Sequence, residues 1–215
     1  MLTRLILPLS CIPVFLTAVY ALVVYRKLKR EYQVFSWFLV FSGIIQLITL
    51  TLWWLRKPNL VYLHIYVIGG FFCLAWFYRV VLKDFIHPRI VDTVIVLFTI
   101  FAVLNSIFGK SITAFDSTGS TVEAALIIIF ALSTFLLTQN EIVRNGNLVE
   151  LRGLNWINSG LLIFFASTIL LYYFGDTIMR SFPPELSRYS WTLHAFFSVI
   201  LYTCSFTGLW KSTKI

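Results

Sequence analysis

The sequence predicts an all-α fold: a polytopic membrane protein of seven transmembrane helices, forming one domain over residues 1–215. Three observations carry this reading. Seven stretches are each apolar for roughly the 20 residues that a membrane-spanning helix needs. Hydrophobic residues make up 59% of the chain and charged residues 12%, with a mean hydropathy of +0.87, far from the composition of soluble domains. The connections between stretches run to about 5 to 16 residues, too short for a soluble domain. Backbone polar groups in hydrocarbon must be satisfied internally, and open segments of this kind can do so only as helices.

The first span, Leu5–Tyr25, is preceded only by Arg4 and followed by the basic block Arg26–Arg30. Val19-Tyr20-Ala21 has the spacing of a signal cleavage site, but the apolar run continues through Tyr25 and the basic block acts as a stop-transfer signal, so the helix is retained. The second span is Val34–Leu55, with Trp37, Ser42-Gly43 and a central Gln46. The third, Val61–Val81, carries Leu63-His64 near one end and leads to Lys83. Pro88 disfavours helix through His87, which places His87 in a solvated loop before the fourth span, Ile90–Phe108, with Asp92 and Asn105 near its two ends. The fifth span is Thr121–Leu137, with Glu123 in its first turn, where a carboxylate favours the positive helix terminus. The sixth, Leu154–Phe174, holds Asn155, Trp156, Asn158, Ser159-Gly160, Ser167 and Thr168. A connection from Gly175 to Arg188, long enough to fold over the bundle as a lid or to remain a plain solvated loop, precedes the seventh span, Tyr189–Leu209, with His194.

The net charge of +8 reads as membrane orientation and headgroup contact, not as nucleic-acid binding. With the N-terminus outside, the 17 Lys and Arg residues divide eleven inside against six outside. This predicts a multi-pass cell-membrane protein with its C-terminus in the cytoplasm. The three cysteines, Cys11, Cys73 and Cys204, all fall in helices and make no CxxC pair, which argues against a disulfide framework or a structural zinc site. No Asn-x-Ser/Thr sequon occurs, as suits a bacterial membrane.

Helices 3 and 7 share Leu-His near their outer ends, and helices 2 and 6 share Ser-Gly after a Trp. Helices 1–3 therefore match helices 5–7 in a 3+1+3 parallel repeat, an arrangement that puts ligand sites at the repeat interface; chance dipeptide matches in apolar sequence are the rival explanation.

Polar groups within a membrane are costly and ask for a reason. His64, Asn105, Glu123 and His194 lie one to two turns from the outer ends of four helices, and Gln46 lies near the middle of a fifth. Facing inward, these five would line a pocket open to the outside. Each alone has a plainer reading as a packing or interfacial residue. Together, two imidazoles and a carboxylate could hold a divalent cation or a lipid headgroup, or exchange protons near neutral pH. A sparser inner layer of Asp92, Asn155, Asn158 and Ser159 reads as interhelical glue.

Several activities are disfavoured. Helix 7 has no mid-span lysine for a retinal Schiff base, Gln46 has no preceding proline for a Pro-Gln transporter motif, and no HExxH, GxSxG or GxxxxGK[ST] occurs. Trp156-Ile157-Asn158-Ser159-Gly160, Trp191…His194, Gly208-Leu209-Trp210-Lys211, Leu63-His64-Ile65-Tyr66, Asn105-Ser106 and Glu123 resemble a group of small bacterial seven-helix membrane proteins with no assigned function. The resemblance implies an architecture and no reaction, substrate or cofactor. The leading functional expectation is a receptor-like or sensory protein with an outward-facing polar pocket for a small ligand, lipid group or ion. Such a protein would need a cytoplasmic signalling partner. The alternatives are a small-solute transporter built on the two repeats, or a membrane-embedded metal-dependent hydrolase using His64, His194 and Glu123.

Overall fold

The computed structural model describes residues 9–108, 115–145 and 148–214, and the side chains among these apart from 141–150. Arg4, Lys110, the start of the first span at Leu5 and the side chain of Arg144 lie outside the described residues. The described chain forms seven helices: α1 Ile12–Val24, α2 Arg30–Trp54, α3 Leu60–Val81, α4 Pro88–Phe108, α5 Ser117–Asn145, α6 Leu148–Ser181 and α7 Pro184–Ser212. Six of them, α2 to α7, are long and apolar enough to cross a membrane. Thirteen residues of α1 are described.

The last three helices, α5 to α7, overrun their apolar stretches at both ends. α6 has 34 residues, about 51 Å at 1.5 Å per residue, well beyond a hydrocarbon core of about 30 Å. Turns that read as connections by polarity alone carry helix-compatible residues and fold as helix. The segment Gly175–Arg188 is accordingly no loose lid. Only Phe182 and Pro183 separate α6 from α7, and Pro184 opens α7 at a position where its missing N–H costs nothing. Pro88 opens α4 in the same way, leaving His87 exposed in the connection, its Nδ1 accepting the Arg89 backbone N–H at 3.3 Å. α2 ends in a Schellman motif: Lys57 N–H donates to Leu52 O at 2.9 Å and Arg56 N–H to Trp53 O at 3.1 Å. Arg56 takes φ 54°, the left-handed conformation that usually falls to glycine here.

α1 packs against α2 and α7, α2 against α3, α3 against α5, α5 against α6, and α6 against α7. These contacts close a ring of six helices. α4 lies outside it, against α3 and α5. Its sequence explains the position: Val91, Phe98 and Ala102 form one buried strip, while Ile90, Val96, Leu97 and Leu104 on its other sides are exposed. Exposed apolar residues cover the outside of the bundle generally, among them Leu16, Val23, Leu47, Ile129 and Leu170. Such a surface suits lipid and not water. Trp53 and Trp54 lie at one end of the bundle, Trp156 and Trp210 at the other, the latter beside Lys211 and Lys214, as expected of interfacial aromatic belts. The chain is a multi-pass membrane protein.

Small residues set the closest approach in the ring. A Cβ on Gly153 would stand 2.9 Å from Gly208 O, and one on Gly208 would stand 2.7 Å from Gly153 O. Seven residues along α6, a Cβ on Gly160 would meet Cys204 Cβ at 2.7 Å. In lipid, helix association depends on this close packing. Gly43 lies against Ala18 of α1, so the two Ser-Gly pairs serve different crossings.

The half of the bundle towards Arg26 and Lys211 is solid. Phe35, Leu74, Phe77, Tyr78, Ile157 and Leu161 are fully buried there. Asn158 joins three helices, accepting from Tyr78 Oη at 3.0 Å and donating to Ala131 O at 2.9 Å. The Asn158 side chain is 0% exposed. Arg79 on α3 forks onto both oxygens of half-exposed Asp92 on α4. Asn155 Oδ1 is buried without a hydrogen bond. An Asn158→Leu variant, similar in volume, should lose about 1–3 kcal/mol by stranding the Tyr78 hydroxyl and the Ala131 carbonyl. Thermal unfolding in detergent should show a lowered midpoint, and Tyr78→Phe a smaller drop.

A cavity walled by six helices

The other half of the bundle is hollow. A cavity of about 520 Å³ is lined by residues of α1, α2, α3, α5, α6 and α7, by the residues leading into α1 and α3, and by Phe115. No residue of α4 lines it. Its rim includes Trp53, Asn59 and the exposed Arg188, and its floor Ser42, Leu201 and Tyr202. Eleven residues of α2 separate Trp53 from Ser42, about 16 Å of helix. At the floor, Ser42 Oγ and Tyr66 Oη lie 3.4 Å apart, and the Tyr202 hydroxyl joins them. α1 is tied to α7 beside this floor by Thr17 Oγ1, 3.2 Å from Tyr202 O.

Glu123 comes from α5. The sequence reading puts it in the first turn of that helix; the structure does not. α5 starts at Ser117 with no acidic residue in its first turn. Asp116 takes the cap instead, its Oδ1 accepting the Gly119 backbone N–H at 2.8 Å, the usual role of Asp at this position. Glu123 therefore lies near the end of the second turn, 4% exposed, in the cavity wall. It makes no hydrogen bond or ion pair among the described residues. Its Oε1 would be 3.6 Å from a Cβ on Gly70, whose glycine leaves room for the carboxylate beside the Tyr66 ring.

His194 on α7 also lines the cavity. Its Nε2 is 3.0 Å from Tyr172 Oη, and the edges of Phe164 and Trp191 meet its ring at centroid distances of 5.3 and 5.7 Å. The imidazole is thus oriented by α6 and held among aromatic rings. Gln46 on α2 completes the group, its amide donating to Cys11 Sγ at 3.0 Å. Phe115 also lines the cavity, edge-on to Trp191 at 5.1 Å and pressed against Gly175, where a Cβ would meet the ring at 2.5 Å.

The other two residues singled out in the sequence lie elsewhere. His64 and Asn105 do not line the cavity. His64 Nδ1 is 3.0 Å from Ser106 Oγ and 3.5 Å from Asp116 Oδ2. Asn105 Nδ2 donates to Asp116 Oδ1 at 2.8 Å. This buried cluster fastens α3 and α4 to the start of α5. The five residues thus divide, with Gln46, Glu123 and His194 in the cavity and His64 and Asn105 on Asp116. The two Leu-His histidines consequently occupy unlike surroundings.

Asp116 escaped the sequence reading, although an Asp before Ser-Thr-Gly is a recognisable helix start. Tyr66, Tyr172 and Tyr202 escaped it too, because tyrosine is too common in this aromatic-rich chain to mark a site. Among the described residues, no three His, Cys, Asp or Glu side chains converge to hold a metal ion.

No protein-family model, curated protein or solved structure matches the chain. The fold and the cavity define a class all the same: an all-α, multi-pass membrane protein with a largely apolar cavity, carrying a few polar groups, inside a ring of helices.

Proposed function

We propose that the chain is a receptor-like membrane protein of seven spans whose cavity, open to the outside, binds a small ligand, lipid group or ion. The observation that carries this reading is the cavity of about 520 Å³ with Glu123 in its wall, unpartnered among the described residues, and His194 held in place by Tyr172. Concave sites with few polar groups among apolar and aromatic ones are what small-ligand recognition requires. Preorganised polar groups in a membrane interior are too costly to be incidental. The cation asymmetry supports an N-terminus outside and a C-terminus in the cytoplasm. On this reading α1 is the seventh span, and the signal passes to a cytoplasmic partner through short connections such as Arg26–Arg30 and Lys83–Arg89.

A transporter is the second reading. Contact of α3 with α5 is mirrored by contact of α7 with α1, the pairing that a 3+1+3 repeat requires. The solid half below Ser42 and Tyr202 and the unlike surroundings of the matched dipeptides favour the receptor reading. Cysteine labelling tests the proposal. In a chain carrying Cys11→Ser, Cys73→Ala, Cys204→Ala and Ser198→Cys, the new thiol stands in the cavity wall one turn below His194. A membrane-impermeant thiol reagent should modify it from the outside alone. Labelling from the cytoplasmic side alone would invert the protein, and labelling from neither side would remove the open pocket.

A further inference from the structure

We infer that the cavity takes a small organic ammonium ion, seated on the Glu123 carboxylate and enclosed by aromatic rings. This names the ligand class of the pocket proposed above and rests on that reading. Glu123 is 4% exposed and has no protein partner among the described residues. A carboxylate so placed either holds its proton or is costly to ionise until a cation joins it. Among the described residues none is supplied at that depth: the only Lys or Arg among them that lines the cavity is Arg188, exposed at the rim. Six residues of α7 separate Arg188 from His194, about 9 Å of helix. The surroundings do not offset the charge. Asp116, also 4% exposed, sits two turns back on α5, and His64 and Asn105 are already engaged there. Asp176 is committed to Arg180 at 2.7 Å.

The walls fit an organic cation better than a metal ion. With no three ligating side chains converging among the described residues, a metal would find one carboxylate and an imidazole already hydrogen-bonded to Tyr172. An ammonium ion needs one carboxylate and ring faces, and it gains from each ring within about 6 Å. Tyr66, Phe164, Phe165, Tyr172 and Trp191 all line the same space.

The test uses the full chain in lipid nanodiscs, with Trp53 and Trp191 as built-in fluorescent reporters in the lining. Probes are the series from tetramethylammonium to tetrapropylammonium, and choline paired with its uncharged isostere 3,3-dimethylbutan-1-ol. At least one ammonium ion should quench saturably, and choline should bind at least about tenfold more tightly than the isostere, a difference within reach of one desolvated cation contact. Glu123→Gln keeps the side chain's size and should weaken binding by about tenfold or more without lowering the melting temperature. Gly70→Ala places a methyl 3.6 Å from Oε1, an ordinary contact that the fold tolerates, and should weaken ammonium binding several-fold. Equal binding of choline and its isostere, undiminished binding by Glu123→Gln, or no saturable quenching across the series would each overturn the inference. If Ser198→Cys still labels from one side, the pocket survives that failure; if it does not, both readings fall.

Discussion

Replacing Gly208 with valine should stop α6 and α7 from closing on each other. A Cβ there would lie 2.6 Å from Ile157 Cγ1 and 2.7 Å from the Gly153 carbonyl oxygen. The isoleucine can turn away; the carbonyl, part of the α6 backbone, cannot. The contact is reciprocal, since a Cβ on Gly153 would stand 2.9 Å from Gly208 O and 2.8 Å from Tyr32 Oη. This crossing belongs to the most extensive helix interface in the bundle, so separating the helices there forfeits packing along their length. Overpacking alone costs about 1–3 kcal/mol; against backbone, and with packing as the chief force between helices in lipid, the loss should reach about 3 kcal/mol or more. Purified Gly208→Val should elute as aggregate or melt far below the parent chain, with Gly208→Ala intermediate. A Gly208→Val chain melting with the parent would mean that α6 and α7 do not cross here.

Replacing Asp116 with alanine should be nearly as damaging, for a different reason. One carboxylate caps α5 through Gly119 N–H, accepts from Asn105 and faces His64. Loss of a cap costs about 0.5–2 kcal/mol, and each buried partner left unpaired about 1–3 kcal/mol. A total of about 3 kcal/mol is expected. Asp116→Asn retains an acceptor and the volume, so its smaller loss isolates the contribution of charge beside His64. Unchanged melting would contradict the clasp. Its loss should also reach the cavity, because Phe115, next in sequence, lines it.

The apolar runs alone located the helices, because a membrane imposes one constraint on every segment that crosses it. Their ends were not legible in hydropathy: the segments just after Gly175 and from Leu148 to Gly153 are polar enough to read as loops, yet both lie within α6. The position of α4 outside the ring went unread although its span is the most apolar of the six candidates; its single buried strip appears only when its neighbours are known. For the site, depth along the helices was informative and direction was not. His64 and His194 lie at similar depths, but one faces Ser106 and Asp116 and the other the cavity. Helical rotation decides that, and in a span apolar on every side no amphipathic stripe reveals it. Glu123 was visible because a carboxylate in such a stretch has few reasons to be there. The tyrosines around it were hidden by their abundance.

The central claim is that the hollow half of the bundle is a ligand site. An experimental density map of the full chain, purified gently into nanodiscs and then exposed to a quenching ammonium ion, tests it most directly. The account predicts non-protein density between the Glu123 carboxylate and the Tyr172–His194 pair, above a floor formed by Ser42, Tyr66 and Tyr202. A collapsed cavity, with Glu123 paired to Arg188 and the aromatic rings packed together, would contradict it.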